Sequence, residues 1–225
     1  MARVLVVDDE LQVLRLVGRI LTSEGHEVDL ALDADQAMKI VGMRSPDVIV
    51  LDIIMPETNG LDLCRAIREH TDLAHVPILF LTGAGGIENK IDGFESGGDD
   101  YVMKPFDPRE LVLRVNALLR ASERYRPPIL ESGEISLDPE SSTALVNGDT
   151  VSLTPVEFDL LSYLIKHRGE IVPARKLLRE VWGYPGGVGD PSLVRTHIMN
   201  LRRKIEADPT HPTLIRTVPR RGYTV

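Results

Sequence analysis

Three carboxylates, a hydroxyl and an ammonium group stand at similar places in the first half of the chain, each at the end of a short apolar run. They belong to Asp8, Asp9, Asp52, Thr82 and Lys104. Neighbouring carboxylates joined by a third make a hard oxygen site that suits Mg²⁺. A carboxylate can also act as a nucleophile and form an aspartyl phosphate, provided that positive charge stabilises the transferring oxygens. These residue types therefore predict a site for a divalent cation and a phosphoryl group.

The apolar runs are typical of buried strands. They are Val4–Val7, Val48–Leu51, Ile78–Leu81 and Tyr101–Met103. Together with helical stretches they form five strand–helix repeats over residues 1–120, and the last two helices are predicted over 87–96 and 108–119. This alternation predicts an α/β domain with a doubly wound, five-stranded parallel sheet. Because ligands bind beyond the carboxyl ends of such strands, the five polar side chains should converge at one edge.

The second half begins after a polar, proline-containing stretch, residues 121–130, which we interpret as a linker. Three short strands are predicted within 134–153. Three helices follow, the last over 192–206, and the chain then forms a hairpin with a basic tip. This order predicts a smaller α+β domain of the winged helix-turn-helix kind over residues 131–225.

The charge distribution separates the two halves. Residues 1–120 carry 12 Lys and Arg against 21 Asp and Glu, whereas residues 121–225 carry 14 against 13. Within 195–221 there are seven basic and two acidic residues. An acidic half joined to a locally basic half indicates two domains with different partners.

Composition argues against a membrane or secreted protein. No apolar stretch approaches the roughly 20 residues of a membrane span. The N-terminus leads directly into a strand, so no signal peptide is predicted. Cys64 is the only cysteine, which excludes an internal disulfide and fits a reducing cytoplasm. We therefore expect a cytoplasmic protein without a membrane partner.

The motifs of the first half resemble the receiver domains of two-component response regulators, which share the fold of CheY. The matching stretches are Val6–Glu10, Leu51–Pro56, Asn59–Gly60, Leu81–Thr82 and Lys104–Phe106. The resemblance implies that a sensor histidine kinase phosphorylates Asp52, with Thr82 and Lys104 completing the catalytic set. It also implies that Mg²⁺ is bound by Asp9, Asp52 and the Ile54 carbonyl oxygen, with Asp8 contributing through water.

The same resemblance implies a switch. Thr82 would move toward the phosphoryl group, and Tyr101 would fill the space that it leaves. The Lys104–Pro105 peptide bond is expected to be cis. The sequence departs from the usual pattern at Gly83, where receivers commonly have alanine.

The second half resembles the winged-helix effector domain of the OmpR/PhoB transcription factors. The matching stretches are Leu153–Leu161, Val181–Tyr184, Val194–Ile198, Leu201–Ile205 and Arg221–Tyr223. The resemblance implies binding to double-stranded DNA and makes RNA polymerase a candidate partner through the loop Gly183–Gly189. Two departures, Arg195 where an acidic residue is common and Pro219 where a basic one is common, prevent any operator sequence from being carried over.

Helical spacing divides the last helix into a buried stripe and an exposed basic side. Val194, Ile198, Leu201 and Ile205 form the stripe, beside which His197 is expected to pack as a core histidine. The predicted base-reading residues are Arg195, Met199 and Asn200. Arg202 and Arg203 are predicted to contact phosphates, and Arg220 and Arg221 to reach a minor groove. The remaining candidate DNA contacts are Ser192, Thr196 and Thr217.

The resemblance further implies that the phosphorylated protein forms a homodimer. We expect Lys90 to pair with Glu110, and Asp99 with Arg114, across a two-fold axis. The apolar part of this interface is predicted to be Ile91, Phe94 and Val112. Asp100 also belongs to this surface, although its usual arginine partner is replaced by Ala121.

The sequence as a whole predicts a phosphorylation-controlled transcription factor that binds tandem operator half-sites and catalyses only its own phosphorylation and dephosphorylation. A phosphohydrolase with an aspartate nucleophile would need its acid two residues from its nucleophile, whereas Asp8, Asp9 and Glu10 are consecutive. A vestigial acidic site with constitutive DNA binding, and an output through protein partners alone, remain as alternatives. The complete set of site residues argues against the first, and the basic helix argues against the second.

Overall fold

The computed structural model describes residues 1–56, 58–70, 73–83, 96–124, 130–132, 135–138, 141–186 and 188–225, with side chains described throughout except at 121–124 and 130–132. The chain divides into two compact units, Met1–Ser122 and Glu123–Val225. The first unit holds the predicted acidic site, and the second holds the predicted basic helix. No helix in the described part of the chain combines the length and apolar composition that a membrane crossing needs.

A parallel sheet forms the centre of the first unit. Its strands are β1 Arg3–Val7, β2 Glu27–Ala31, β3 Val48–Asp52, β4 Ile78–Thr82 and β5 Asp100–Met103. They lie in the order β2-β1-β3-β4-β5, and all neighbours are parallel. Every residue of β3 and β4 is buried, as expected of strands covered on both faces. The predicted five-stranded, doubly wound sheet is confirmed.

Four described helices connect or follow these strands. They are α1 Leu11–Ser23, α2 Ala34–Met43, α3 Gly60–Glu69 and α4 Pro108–Arg124. Side-chain caps start three of them, since Asp33 accepts a hydrogen bond from the Gln36 N–H, Asn59 from the Leu61 N–H and Asp107 from the Arg109 N–H. The helix predicted over 87–96 lies outside the described residues except for Ser96. Helix α4 continues past its predicted end at Leu119 into the predicted linker, because no proline interrupts it before Pro127.

The second unit begins with an antiparallel sheet of four strands, one more than predicted. They are β6 Leu130–Ser132, β7 Ile135–Asp138, β8 Thr143–Val146 and β9 Asp149–Ser152, in that order. The additional strand, β6, has three residues and is too short to show an alternating pattern. The predicted turn at Asn147–Gly148 is present, with both residues at positive φ, as a two-residue hairpin requires.

Three helices and a hairpin complete the second unit. They are α5 Pro155–Lys166, α6 Ala174–Glu180, α7 Pro191–Ile205, β10 Arg216–Val218 and β11 Gly222–Thr224. The predicted capping box at the start of α5 is formed by Thr154 and Glu157. The hairpin β10–β11 is the wing, and the winged-helix prediction is confirmed.

Candidate functional site

The carboxyl ends of β1 and β3 bring three carboxylates together. Oxygens of Asp8, Asp9 and Asp52 lie within 4.8 Å of one another. Asp8 is fully buried and Asp52 is 4% exposed, whereas Asp9 is the most exposed of the three. Oxygen ligands of this kind fit a hard divalent cation, and burial of two of them leaves negative charge that a cation would neutralise.

Lys104 reaches this cluster from the loop after β5. Its Nζ atom lies 2.6 Å from Asp8 Oδ2 and 2.8 Å from Asp52 Oδ2. The Lys104 backbone N–H donates to the Thr82 carbonyl oxygen at 2.7 Å, which continues the β4–β5 pairing past the end of the strands. The Lys104–Pro105 peptide bond is cis, as expected. The ammonium group is therefore placed where it can neutralise charge on a group attached to Asp52.

Burial and the lysine act in opposite directions on the candidate nucleophile. Burial raises the pKa of the Asp52 carboxyl above its usual value, and the hydrogen bond from Lys104 offsets part of that rise. Burial alone would lower the pKa of Lys104, but its hydrogen bonds to Asp52 and Asp8 outweigh this effect and raise it. The lysine thus stays protonated and favours the ionised carboxylate that a nucleophile needs.

The side chains of the predicted switch are both buried. Thr82 ends β4, and its hydroxyl donates to the Gly83 carbonyl oxygen at 3.2 Å. Tyr101 lies on β5, and the guanidinium carbon of Arg114 is 5.7 Å from the centroid of its ring. Thr82 therefore lies at the end of β4, the strand next to β3, and its hydroxyl is hydrogen-bonded to the neighbouring residue.

The loop after β3 leaves room beside the acidic cluster. A cleft of about 320 Å³ is lined by Asp9, Met55, Pro56 and Thr58 among others. Ile54 is 60% exposed, and its backbone N–H donates to Asp52 Oδ1 at 3.2 Å. Gly60 packs closely against this loop, because a Cβ atom there would lie 1.9 Å from the Asp52 carbonyl oxygen. The sequence motif contains Gly60, but nothing in its pattern revealed this contact.

The expected pairing of Asp99 with Arg114 across a dimer is wrong. Asp99 is fully buried, and its Oδ2 atom accepts from Arg68 Nη2 at 2.8 Å and from the Ile78 N–H at 2.9 Å. Arg68 also donates to three backbone carbonyl oxygens, so it ties α3 to the segment before β5. The role of Arg68 could not be predicted from the local sequence, because its partner Asp99 is 31 positions away.

Arg114 is engaged within the chain. Its Nη1 atom lies 2.8 Å from Asp100 Oδ1, and its Nη2 atom lies 2.7 Å from Glu110 Oε1. Val112, on the same helix, is half-buried. The other predicted interface residues, Lys90, Ile91 and Phe94, lie outside the described residues.

Helix α7 presents a smaller base-reading side than predicted. Arg195 is exposed, and Ser192, Thr196 and Met199 are partly exposed. Asn200 is only 6% exposed, so its prediction as a base-reading residue is wrong. It lies on the packed side of the helix, one position before Leu201 of the buried stripe. His197 is buried against Trp182, with ring centroids 5.4 Å apart, as the sequence predicted.

Arg202 is not free to contact phosphates as predicted. Its Nε and Nη2 atoms donate to the Ile215 carbonyl oxygen at 2.9 and 2.7 Å, and Nη2 also donates to Thr217 Oγ1 at 2.8 Å. Thr217, another predicted DNA contact, is exposed, and its hydroxyl accepts one of these bonds and keeps its own hydrogen for another partner. Arg203 is exposed.

The tip of the wing presents two exposed arginines, Arg220 and Arg221. Pro219 leads into a turn in which Arg220 has φ of +61° and the Arg221 N–H donates to the Val218 carbonyl oxygen. This is the arrangement of a type II turn, whose third position favours glycine. Arginine in this left-handed conformation costs free energy that glycine would not. Arg216 on β10 is also exposed.

Comparisons with known proteins match both units. Residues 4–116 match the family described as the response regulator receiver domain. Residues 148–225 match the family described as transcriptional regulatory protein, C terminal.

Two curated relatives match along nearly their whole length. The DNA-binding dual master transcriptional regulator RpaA of Synechocystis is 39% identical over 228 residues, covering 99% of this chain and 94% of that protein. The DNA-binding response regulator MtrA of Mycobacterium tuberculosis is 38% identical over 221 residues, covering 98% of this chain and 95% of that protein.

Solved structures agree in fold. The response regulator DrrB of Thermotoga maritima, an OmpR/PhoB homologue, has a TM-score of 0.52 at 32% identity, covering 100% of this chain and 98% of that one. A mutant form of RitR has a TM-score of 0.80 at 22% identity, with the same coverage, and at that identity the likeness concerns the fold alone.

Proposed function

Because this chain belongs to the OmpR/PhoB-type response regulators, with a receiver domain followed by a transcriptional regulatory C-terminal domain, we propose that phosphorylation of Asp52 controls its binding to DNA. Such regulators receive a signal from a kinase and bind DNA. We assign residues 1–120 to the receiver, 121–130 to the linker and 131–225 to the DNA-binding domain. The observation that carries the proposal is the buried Asp52 carboxylate, 2.8 Å from the Lys104 ammonium in a cluster of three carboxylates.

The proposed chemistry is aspartyl phosphorylation. A carboxylate oxygen of Asp52 attacks the phosphorus of a kinase phosphohistidine, and the bond between phosphorus and the histidine nitrogen breaks. Lys104 neutralises charge on the phosphoryl oxygens, and the Thr82 hydroxyl donates to one of them. The chain would also catalyse the hydrolysis of its own aspartyl phosphate, without acting on an outside substrate.

Mg²⁺ is the proposed cofactor. Asp9, Asp52 and the Ile54 carbonyl oxygen would hold it directly, and Asp8 through water. The hard oxygen donors of the cluster support this assignment. Bound there, Mg²⁺ would supply further positive charge to the phosphoryl oxygens.

The proposed output is a homodimer on two tandem half-sites. Its receiver surface would include Glu110, Val112 and Arg114, together with Lys90, Ile91 and Phe94. Asp100, which the sequence also placed there, is fully buried and paired with Arg114 inside the chain, so it is left out of this surface. Because Arg114 already bonds Asp100 and Glu110 within the chain, dimerisation would exchange or share these bonds. Tyr101, beside Arg114, would link this surface to Thr82.

On DNA, we propose that Arg195 reads bases from the major groove, with Ser192, Thr196 and Met199 beside it. Arg203 would contact phosphates, and Arg220 and Arg221 would enter a minor groove. RNA polymerase is a further proposed partner, contacted by the loop 183–189. These partners would place the protein in the cytoplasm.

The test is selection of random duplex DNA by the full-length protein, with and without beryllofluoride and Mg²⁺, which mimic the aspartyl phosphate. We expect two direct repeats about one helical turn apart, enriched mainly with the mimic. Asp52→Asn should lose this dependence, whereas Asp35→Asn, an exposed carboxylate on α2, should retain it. Equal enrichment without the mimic would favour constitutive binding, and no enrichment in either sample would favour a protein partner.

A further inference from the structure

The carboxylate directly after α7 is used entirely within the protein. Glu206 is only 8% exposed. Its Oε1 atom accepts from the N–H groups of Leu214 and Ile215 at 2.9 and 2.8 Å, and its Oε2 atom accepts from the Thr213 N–H at 2.8 Å. Three successive backbone donors thus satisfy one buried carboxylate, which would otherwise be costly to bury.

Arg202, one turn earlier on α7, holds the same segment from its other side. Its guanidinium donates to the Ile215 carbonyl oxygen, while Glu206 accepts from the Ile215 N–H. Both polar backbone groups of Ile215 are therefore bonded by side chains of α7 and the residue that follows it. Because Ile215 directly precedes β10, these bonds attach the first strand of the wing to the helix.

The second strand of the wing is attached elsewhere. Tyr223 on β11 exchanges two backbone hydrogen bonds with Val172, at 2.8 and 3.0 Å. A Cβ atom at Gly222 would lie 2.1 Å from the Val172 carbonyl oxygen, so glycine permits this close approach. The base of the wing is thus held on both sides, and the tip with Arg220 and Arg221 extends beyond it.

We propose that Arg202 and Glu206 are positioning residues that hold the wing in one orientation relative to α7, so that Arg195 and the wing arginines can engage one duplex together. The inference rests on the proposed function. A wing that is already ordered loses less conformational entropy on binding than one that must be ordered by DNA. Arg202 acts in this account through the Ile215 segment, without touching DNA.

Whether Glu206→Gln weakens or strengthens DNA binding distinguishes a positioning role of Glu206 from a simple effect of its negative charge. Removing a negative charge near a DNA-binding surface should strengthen binding, since repulsion of phosphates falls. If Glu206 positions the wing, Glu206→Gln should weaken DNA binding. The glutamine amide would place an N–H₂ group against the backbone N–H donors of residues 213–215, and two donors cannot bond each other. Glu170→Gln makes the same charge change at an exposed residue of the same unit and serves as the control.

The experiment measures the affinity of the full-length protein for the selected operator in five forms: wild type, Glu206→Gln, the control Glu170→Gln, the double variant Arg220→Ala/Arg221→Ala, and the combination of that double variant with Glu206→Gln. We expect Glu206→Gln to weaken binding about ten-fold, the order of a lost arginine contact. In the combination, the Glu206 change should add nothing, because the wing contacts are already absent. Amide hydrogen exchange of the free protein should accelerate at residues 213–215. Glu170→Gln should change none of these.

Three outcomes would overturn the inference: unchanged or tighter binding by Glu206→Gln, a loss that adds fully to that of the wing variant, or unchanged exchange at 213–215. If Glu206→Gln does not fold, Arg202→Lys takes its place, since it keeps the charge that a phosphate contact needs but not the forked geometry. Retained affinity in Arg202→Lys would then overturn the inference. If the wild-type protein binds no duplex, the proposed function itself fails, whereas normal wild-type binding with unaffected variants removes the positioning role alone.

Discussion

Replacing Gly60 by alanine should disturb the phosphoacceptor directly. A Cβ atom at this position would lie 1.9 Å from the Asp52 carbonyl oxygen and 3.0 Å from Ile53 Cα. Non-bonded heavy atoms pack at about 3.5–4.0 Å, so the backbone at Asp52 must move by more than about 1 Å, or α3 must. Because α3 begins at Gly60 with a hydrogen bond from its N–H to the Ile53 carbonyl oxygen, both sides of the contact are restrained.

Two magnitudes follow from this overlap. Overpacking of a dense core costs about 1–3 kcal/mol, so the free energy of unfolding of the first unit should fall by that amount. A displacement of about 1 Å at a reacting group can cost on the order of 100-fold in rate. We therefore expect Gly60→Ala to remain folded and to be phosphorylated about 100-fold more slowly.

The assay follows phosphorylation of the full-length protein by a small phosphodonor with Mg²⁺, using intact-protein mass spectrometry. Gly42→Ala is the matched control, because Gly42 lies in α2 and nothing comes within 4 Å of its added Cβ. That variant should react at the wild-type rate and gain about 0.5–1 kcal/mol of stability, the usual difference between glycine and alanine in a helix. Thermal unfolding of each variant supplies the stability comparison.

A folded Gly60→Ala protein that reacts at the wild-type rate would contradict this prediction. It would show that the loop after β3 can move without displacing the Asp52 carboxylate. An equal loss of rate in Gly42→Ala would also refute it, because the effect would then belong to any glycine replacement in this unit.

Substitutions at four cationic residues should show which of them act on Asp52 reactivity, on DNA affinity and on the stability of the second unit. Lys104→Gln removes the ammonium charge and its charged hydrogen bond, which hold down the pKa of the Asp52 carboxyl against burial, so this carboxyl should titrate at higher pH than in the wild type. Because phosphorylation needs the ionised carboxylate, acidification should slow the variant's reaction from a higher pH than it slows the wild type's. Carboxyl-carbon NMR without added divalent metal checks the titration, and an unchanged or lower midpoint would contradict it. Arg195→Ala should cost about 1–3 kcal/mol of operator affinity with an unchanged unfolding midpoint. Arg202→Ala should lower the free energy of unfolding of the second unit by about 1.5–3 kcal/mol, the range for hydrogen bonds to charged groups, and equal midpoints for the two variants in calorimetry would count against this division. Arg220→Gly should relieve about 1 kcal/mol of left-handed backbone strain while weakening DNA binding, and a lower melting temperature would disprove the turn argument.

The acidic site could be predicted because it depends on one general property of parallel sheets. Asp8, Asp52 and Thr82 each follow a fully apolar run, and the carboxyl ends of parallel strands meet at one edge. Strong local patterns of this kind identify the strands, and the strands determine where the side chains must meet. Lys104 follows from the same argument, although its two distances to the carboxylates come only from the structure.

The DNA-binding side was predicted less well because helical periodicity assigns a residue to a face only to within about one position. Asn200 and Arg202 both lie next to the buried stripe. Packing buries Asn200 and turns Arg202 toward the Ile215 carbonyl oxygen. Neither outcome can be predicted from the local sequence pattern. Arg195 follows Val194 of the same stripe, and its side chain is exposed, as its predicted contact with DNA requires.

The two domains, the parallel sheet, the winged helix and the convergence of the acidic residues all depend on local patterns and motifs, so they can be predicted from the sequence. The pairing of charged groups inside the protein cannot be predicted in this way. Arg68 with Asp99 and Glu206 with the 213–215 segment depend on where distant segments meet. Long side chains can reach many partners, and burial selects the one that leaves no charge unsatisfied.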